Sequence, residues 1–213
     1  MMTVELHPRV LELMASRICH DLVSPVGAIN NGVELMQELG EDAGDEALQL
    51  IASSALQASI RLKCFRLAYG AAGTDKNIGF REVKDAFADW LRAGRIQMEC
   101  EPGLDVKFSM PPRGFFKTVL NVMILAEECS RGEGKIFLSA LEDGKGIKVL
   151  ATGHHISFRD GAEAALTGAT TPDNLDPRGV HAYITGKFAA HFGLTITHLA
   201  QPDFGRLELQ VSF

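Results

Sequence analysis

A chain of 213 residues that is 46% hydrophobic and 23% charged has the composition of a globular protein, enough for one large domain or two small ones, and not that of a disordered tract. Its formal charge of −6 argues against a nucleic-acid partner, which normally demands a basic surplus or stripe. No run approaches the roughly 18 apolar residues of a membrane span, and the opening Met1–Pro8 has no basic start followed by an apolar stretch, so a soluble cytoplasmic protein is expected.

From Pro8 to about Leu39 the residues Leu11, Met14, Ile18, Leu22, Pro25, Ile29, Val33 and Met36 recur every three or four positions, one stripe of a helix, and Pro8 suits its first turn. The stretch from Gly40 to Asp45 is a turn with Asp45 as a candidate N-cap. A second stripe then runs through Leu48, Ala52, Ala55, Ser59, Leu62, Phe65 and Tyr69. Together these make a helical hairpin, and Ala47, Ala52, Ala55 and Ala58 would let its helices approach closely. Two helices leave half of each stripe wet, so a homodimer whose hairpins form a four-helix bundle is expected.

Gly70 to Gly79 carries no apolar period and is the best linker candidate, which divides the chain into residues 1–75 and 76–213. Beyond it the pattern turns to mixed α and β. Phe80 to Ala93 and Pro111 to Cys129 read as helices, with β-prone runs at Ile96–Cys100 and Val106–Ser109 between them. Strands at Lys135–Leu141 and Ile147–Ala151 follow, then a helix from about Gly179 to Phe192 and strands at Thr195–Leu199 and Arg206–Phe213. The fold class is α+β: a helical hairpin followed by an α/β sandwich of helices over a mixed sheet. Cys19, Cys64, Cys100 and Cys129 have neither metal nor redox spacing and read as reduced thiols filling apolar space; the seven histidines form no zinc motif.

The segment from Cys19 to Gly32, CHDLVSPVGAINNG, places a proline, a glycine and an Asn-Asn-Gly run inside the first helix. Pro25 costs about 3 kcal/mol in a helix interior and Gly27 up to about 1. With about 100° per residue, the apolar stripe falls opposite His20, while Arg17, Ser24, Gly27 and Asn31 lie within about 60° of it. His20 therefore faces solvent over a small, polar surface that another protein could approach closely. An imidazole can act as a nucleophile, and the neighbouring carboxylate of Asp21 can accept its ring N–H. A phosphoryl group suits so open a site, because its transfer needs alignment more than enclosure. The competing readings are a surface histidine beside a helix kink and a metal ligand, and for the latter Ser24 stands where a second ligand would be expected.

His20-Asp-Leu-Val-Ser-Pro25 resembles the phosphoacceptor box of dimeric sensor histidine kinases, and the likeness extends through both helices and the second domain. The second domain is similar to the ATP-binding domain of those kinases with its motifs damaged. Leu125 falls at the Asn that would hold Mg²⁺, Ala151 at the carboxylate that would read adenine, and His155 at a glycine; Gly179 remains of the glycine-rich loop, with His181 near another of its glycines. The chain as a whole resembles the ChpT-type histidine phosphotransferases of bacterial phosphorelays. That resemblance implies catalysis by His20 and Asp21, with Arg17, Ser24, Pro25, Gly27, Asn30 and Asn31 supporting it or meeting the partner. It implies no bound ATP and no cofactor of its own, with Mg²⁺ on the partner receiver domain. The implied partners are the receiver domain of a CckA-like hybrid kinase and CtrA-like and CpdR-like response regulators. An ATP-dependent kinase and a non-catalytic receiver-binding adaptor are the alternatives, and Ser24, one turn after His20, raises receiver dephosphorylation as a side activity.

Overall fold

The computed structural model describes residues 7–40, 44–75 and 78–213. Helix α1, Pro8–Leu39, runs unbroken through Pro25, with proline in its first turn and Gly40 closing it at φ 56°. Helix α2, Gly44–Ala68, begins one residue before Asp45, so Asp45 lies in the first turn beside Glu46 rather than capping it. The predicted turn between the helices falls largely outside the described residues. The hairpin closes where a side chain is missing: a Cβ on Gly32 would lie 2.6 Å from Cγ1 of Ile51, and Ala47 is buried opposite.

The face of α2 that packs in the hairpin is Ala47, Ser54 and Ala58, not the stripe read from the sequence. Leu48 and Leu62 stand more than half exposed, with Ala52, Ala55 and Ser59 also on the outside. On α1, Leu11, Val33 and Met36 are exposed as well. The hairpin thus carries a second apolar face that nothing among the described residues covers.

Helices α3 (Phe80–Leu91), α4 (Leu104–Lys107), α5 (Phe115–Cys129), α6 (Ala162–Leu166) and α7 (Val180–His191) accompany a five-stranded sheet. Its strands are β1 (Arg95–Cys100), β2 (Glu133–Ala140), β3 (Gly146–Thr152), β4 (Thr195–Gln201) and β5 (Arg206–Ser212), in the order β1-β2-β3-β5-β4. Only β1 and β2 run parallel. Across the middle, Ile136 pairs with Ala151, Val149 with Leu209 and Ile147 with Val211, so alternate residues put one apolar row under the helices. Helix α5 lies in the middle of the core, buried at every position from Phe115 to Ala126.

Three further sequence expectations need correction. Val106–Ser109 is not a strand: the short α4 sends Leu104 and Phe108, four residues apart, into the core and leaves Val106 outside. Helix α5 starts at Phe115 rather than Pro111, because Gly114 holds a left-handed φ of 79° and a Cβ there would meet the Phe192 ring. The stretch from Gly70 to Gly79 is not a free tether over its described part. A 3-10 turn covers Ala71–Thr74, and Gly73 is buried so tightly that a Cβ would sit 1.9 Å from the Leu67 carbonyl.

Candidate functional site

Polar side chains of α5 reach the end of α2 and fix the hairpin to the sheet domain. Lys117 Nζ donates to the carbonyls of Tyr69 and Gly70 at 3.1 and 2.8 Å, and Asn121 Nδ2 donates to that of Ala68 at 2.8 Å. The Ala68 carbonyl is one that a helix C-terminus leaves without a helical partner, the Gly70 carbonyl also accepts from the Gly73 N–H at 3.4 Å, and a lysine charge suits that end of the helix dipole. Asn121 therefore has a structural task.

A second line of contacts starts one turn before His20. Arg17 pairs with Glu128 of α5, both mostly buried. The Arg17 charge acts on Tyr69, whose hydroxyl lies 2.9 Å from Nδ1 of His181; Nε2 of His181 lies 2.9 Å from the Asn121 carbonyl. A carbonyl can only accept, so Nε2 carries the proton and Nδ1 accepts from the Tyr69 hydroxyl. Burial works against the charge of Arg17, but Glu128 and its other neighbours outweigh it and raise the guanidinium pKa. Burial pushes the Glu128 carboxyl above the usual carboxylate range despite Arg17. Burial, with the field of Arg17, lowers His181 to about 3, so it is neutral in the folded protein.

His20 has the opposite setting. Its side chain is 88% exposed, and Nδ1 lies 3.2 Å from a carboxylate oxygen of Asp21, itself 24% exposed. In the tautomer with the proton on Nδ1, that N–H donates to Asp21 and the Nε2 lone pair is the free nucleophile. Pro25 has no N–H for the Asp21 carbonyl, so the helix ladder lacks one bond at this turn, and its ring is buried. Ser24, Asn30 and Asn31 are exposed. A Cβ on Gly27 would meet nothing within 4 Å, so nothing in this chain requires glycine there.

Of the sequence-predicted site residues, Arg17 turns its side chain into the buried pair with Glu128 and Pro25 is buried, so neither side chain is presented at the surface. Glu128, Tyr69 and the role of His181 were missed, because the three come from α5, the end of α2 and α7, and no spacing joins them. The positions read as a damaged nucleotide site are filled. Leu125 and Ala151 are core residues, and His181 is wholly buried; only His155 stands in the open. Cys64 and Cys129 are buried and Cys100 partly so, but Cys19 is exposed beside His20, against the expectation that every thiol fills apolar space. Among the described residues no cluster of three or more His, Cys, Asp or Glu could hold a metal, and no helix is long and apolar enough to cross a membrane.

An exposed His–Asp pair on a hairpin, joined to an α/β sandwich whose central helix is given over to packing, defines a class, the histidine phosphotransferases. Residues 80–203 match the family described as the histidine phosphotransferase C-terminal domain. The chain is 31% identical to protein phosphotransferase ChpT of Brucella abortus (strain 2308) over 188 residues, 87% of each. A solved structure described as a bacterial phosphotransferase matches the whole of both chains with a TM-score of 0.75 at 26% identity. The chain belongs to the ChpT-type histidine phosphotransferases, the phosphotransfer proteins of bacterial phosphorelays.

Proposed function

We propose that His20 carries the phosphoryl group, taking it from the aspartyl phosphate of one receiver domain and handing it to the aspartate of another. The observation behind this is the exposed His20 imidazole with Asp21 at its Nδ1 and a small polar surface along the same helix. Nε2 attacks phosphorus in line; a P–N bond forms as the P–O bond to the receiver carboxylate breaks, and that carboxylate leaves as the anion. Asp21 offsets the positive charge that builds on the ring. Delivery runs the same step in reverse toward the second receiver, whose Mg²⁺ serves the acceptor carboxylate.

In this reading residues 1–75 carry phosphotransfer and dimerisation, and residues 76–213 are a docking platform. The uncovered apolar face bearing Leu48, Leu62, Val33 and Met36 supports a homodimer through a four-helix bundle. Light scattering at micromolar concentration should then give twice the chain mass, and Leu62→Glu should give a monomer or an aggregate. The receiver of a CckA-like hybrid kinase is the expected donor and CtrA-like and CpdR-like regulators the expected acceptors, in the cytoplasm. The filled positions at Leu125, Ala151 and His181 weigh against ATP as the donor. The test offers labelled phosphate in two forms, on a phosphorylated receiver and as Mg-ATP alone. Label should enter from the receiver only; entry from ATP alone would make the protein a kinase.

A further inference from the structure

The closed nucleotide region is flanked by an opening of different chemistry. Arg131 just beyond α5, Arg159 and Asp160 between β3 and α6, and Arg178 ahead of α7 line a cavity of about 290 Å³. Three segments far apart in sequence thus bring guanidinium groups to one hollow. Among the described residues no carboxylate lies within 4.0 Å of any of the three, whereas Arg17, Arg81, Arg92 and Arg206 each have one. Arg131 donates to the Ser157 hydroxyl at 3.3 Å. Three like charges placed together with no direct ion pair repel one another, Asp160 offsets only part of their charge at the hollow, and a fold that keeps them so is suited to an anion from outside.

Backbone conformation at Arg131 supports the same conclusion. Among the described residues it is the only non-glycine with a positive φ, 50°, at the position after a helix where glycine would be relaxed. The site accepts that strain and keeps an arginine.

We infer that this cavity binds a compact phosphate-bearing dianion, inorganic phosphate or a small phosphomonoester, without a metal. Three positive charges and one negative leave a surplus of two, which matches a phosphate dianion. The planar guanidinium presents paired N–H donors to two phosphate oxygens at once, a fit that neither lysine nor a helix end offers. Asp160 at the same hollow sets the limit, since it disfavours anions that overfill the site. A purine has no place beside it, because Leu125, Ala151 and Val180 are packed into the core.

The experiment is calorimetric titration of the full chain, in EDTA and at constant ionic strength, with inorganic phosphate, glycerol 3-phosphate, AMP and sodium chloride. Saturable one-to-one binding of phosphate or of the phosphomonoester is expected, with AMP weaker than both, and the stronger of the first two identifies the source. Arg159→Ala and Arg178→Ala should each weaken binding by about tenfold or more; Arg178 is exposed and forms no ion pair, so its variant should leave the melting temperature in place, whereas Arg159 also acts on the buried Glu128. No saturation by about 10 mM, heat matched by sodium chloride, or unchanged affinity in both variants would overturn the site. So would variants that slow transfer from a phosphorylated receiver when no phosphate binds, an outcome that would make the arginines a protein-docking surface.

Discussion

Two histidines, His20 and His181, show how differently the two parts of this molecule are built. His20 stands 88% exposed on a helix whose outer apolar face is uncovered, held at one ring nitrogen by Asp21 and free at the other. His181 is wholly buried where α7 meets α5 and the end of α2, with both nitrogens engaged. The first is equipped for chemistry with an outside partner. The second is a structural group, tied to Tyr69 on one side and to the Asn121 carbonyl on the other. The hairpin thus presents His20 to solvent while the sandwich holds His181 in packing and hydrogen bonds.

The largest effect expected from testing that contrast lies in the Arg17–Glu128 pair. Removing one member of a buried pair typically costs about 3–5 kcal/mol, because the other is left charged and desolvated. Here the two halves should be unequal. Glu128 can take up a proton when Arg17 is lost, as its raised pKa allows, whereas a guanidinium cannot shed one. Glu128→Gln should therefore destabilise more than Arg17→Met in urea unfolding; the reverse order would show that the charge of Arg17 is served by other groups.

A smaller effect separates the histidines by pH. Folded His181 lies near 3, and an unfolded imidazole near 6.5, so as pH falls through that window only the unfolded chain gains a proton. The stability is full above about 6.5 and is lost on acidification by up to about 1.4 kcal/mol per pH unit from this residue. His181→Gln should fall less between about pH 7 and pH 5 than the unaltered protein. Parallel curves would place His181 in water. Smaller again is Gly27→Ala. A Cβ there meets nothing within 4 Å, so the helix should gain up to about 1 kcal/mol, while transfer with receivers should slow if that face takes a partner at close range. A faster or unchanged transfer rate would remove Gly27 from the docking surface.

Much of this was legible in sequence because the hairpin repeats a single period over 32 and 25 residues, and because the His-Asp-Leu-Val-Ser-Pro box is local. The strands of the sheet alternate regularly and were found within a residue or two. What failed was non-local or short. The Arg17–Glu128 link joins residues 111 apart in the chain, so a projection of α1 alone put Arg17 on the solvent face. Val106 and Phe108 have β-prone side chains, but the four-residue spacing of Leu104 and Phe108 into the core decided for α4, and α6 is too short for a period to show. The stripe of α2 was read as apolar with half of it left wet, and the exposed Leu48 and Leu62 beside the buried Phe65 match that. The placing of Ala52 and Ala55 in the close approach to α1 failed, since periodicity gives a face but not what lies against it.

The central claim is that His20 itself carries the phosphoryl group. Incubate the unaltered protein and His20→Gln with a labelled phosphorylated receiver, and follow the label and its stability to acid beside a thermal melt of each. The account predicts acid-labile label on the unaltered protein, none on His20→Gln, and melting temperatures that agree, because an exposed imidazole contributes little packing. Acid-labile label on the folded His20→Gln variant would contradict it.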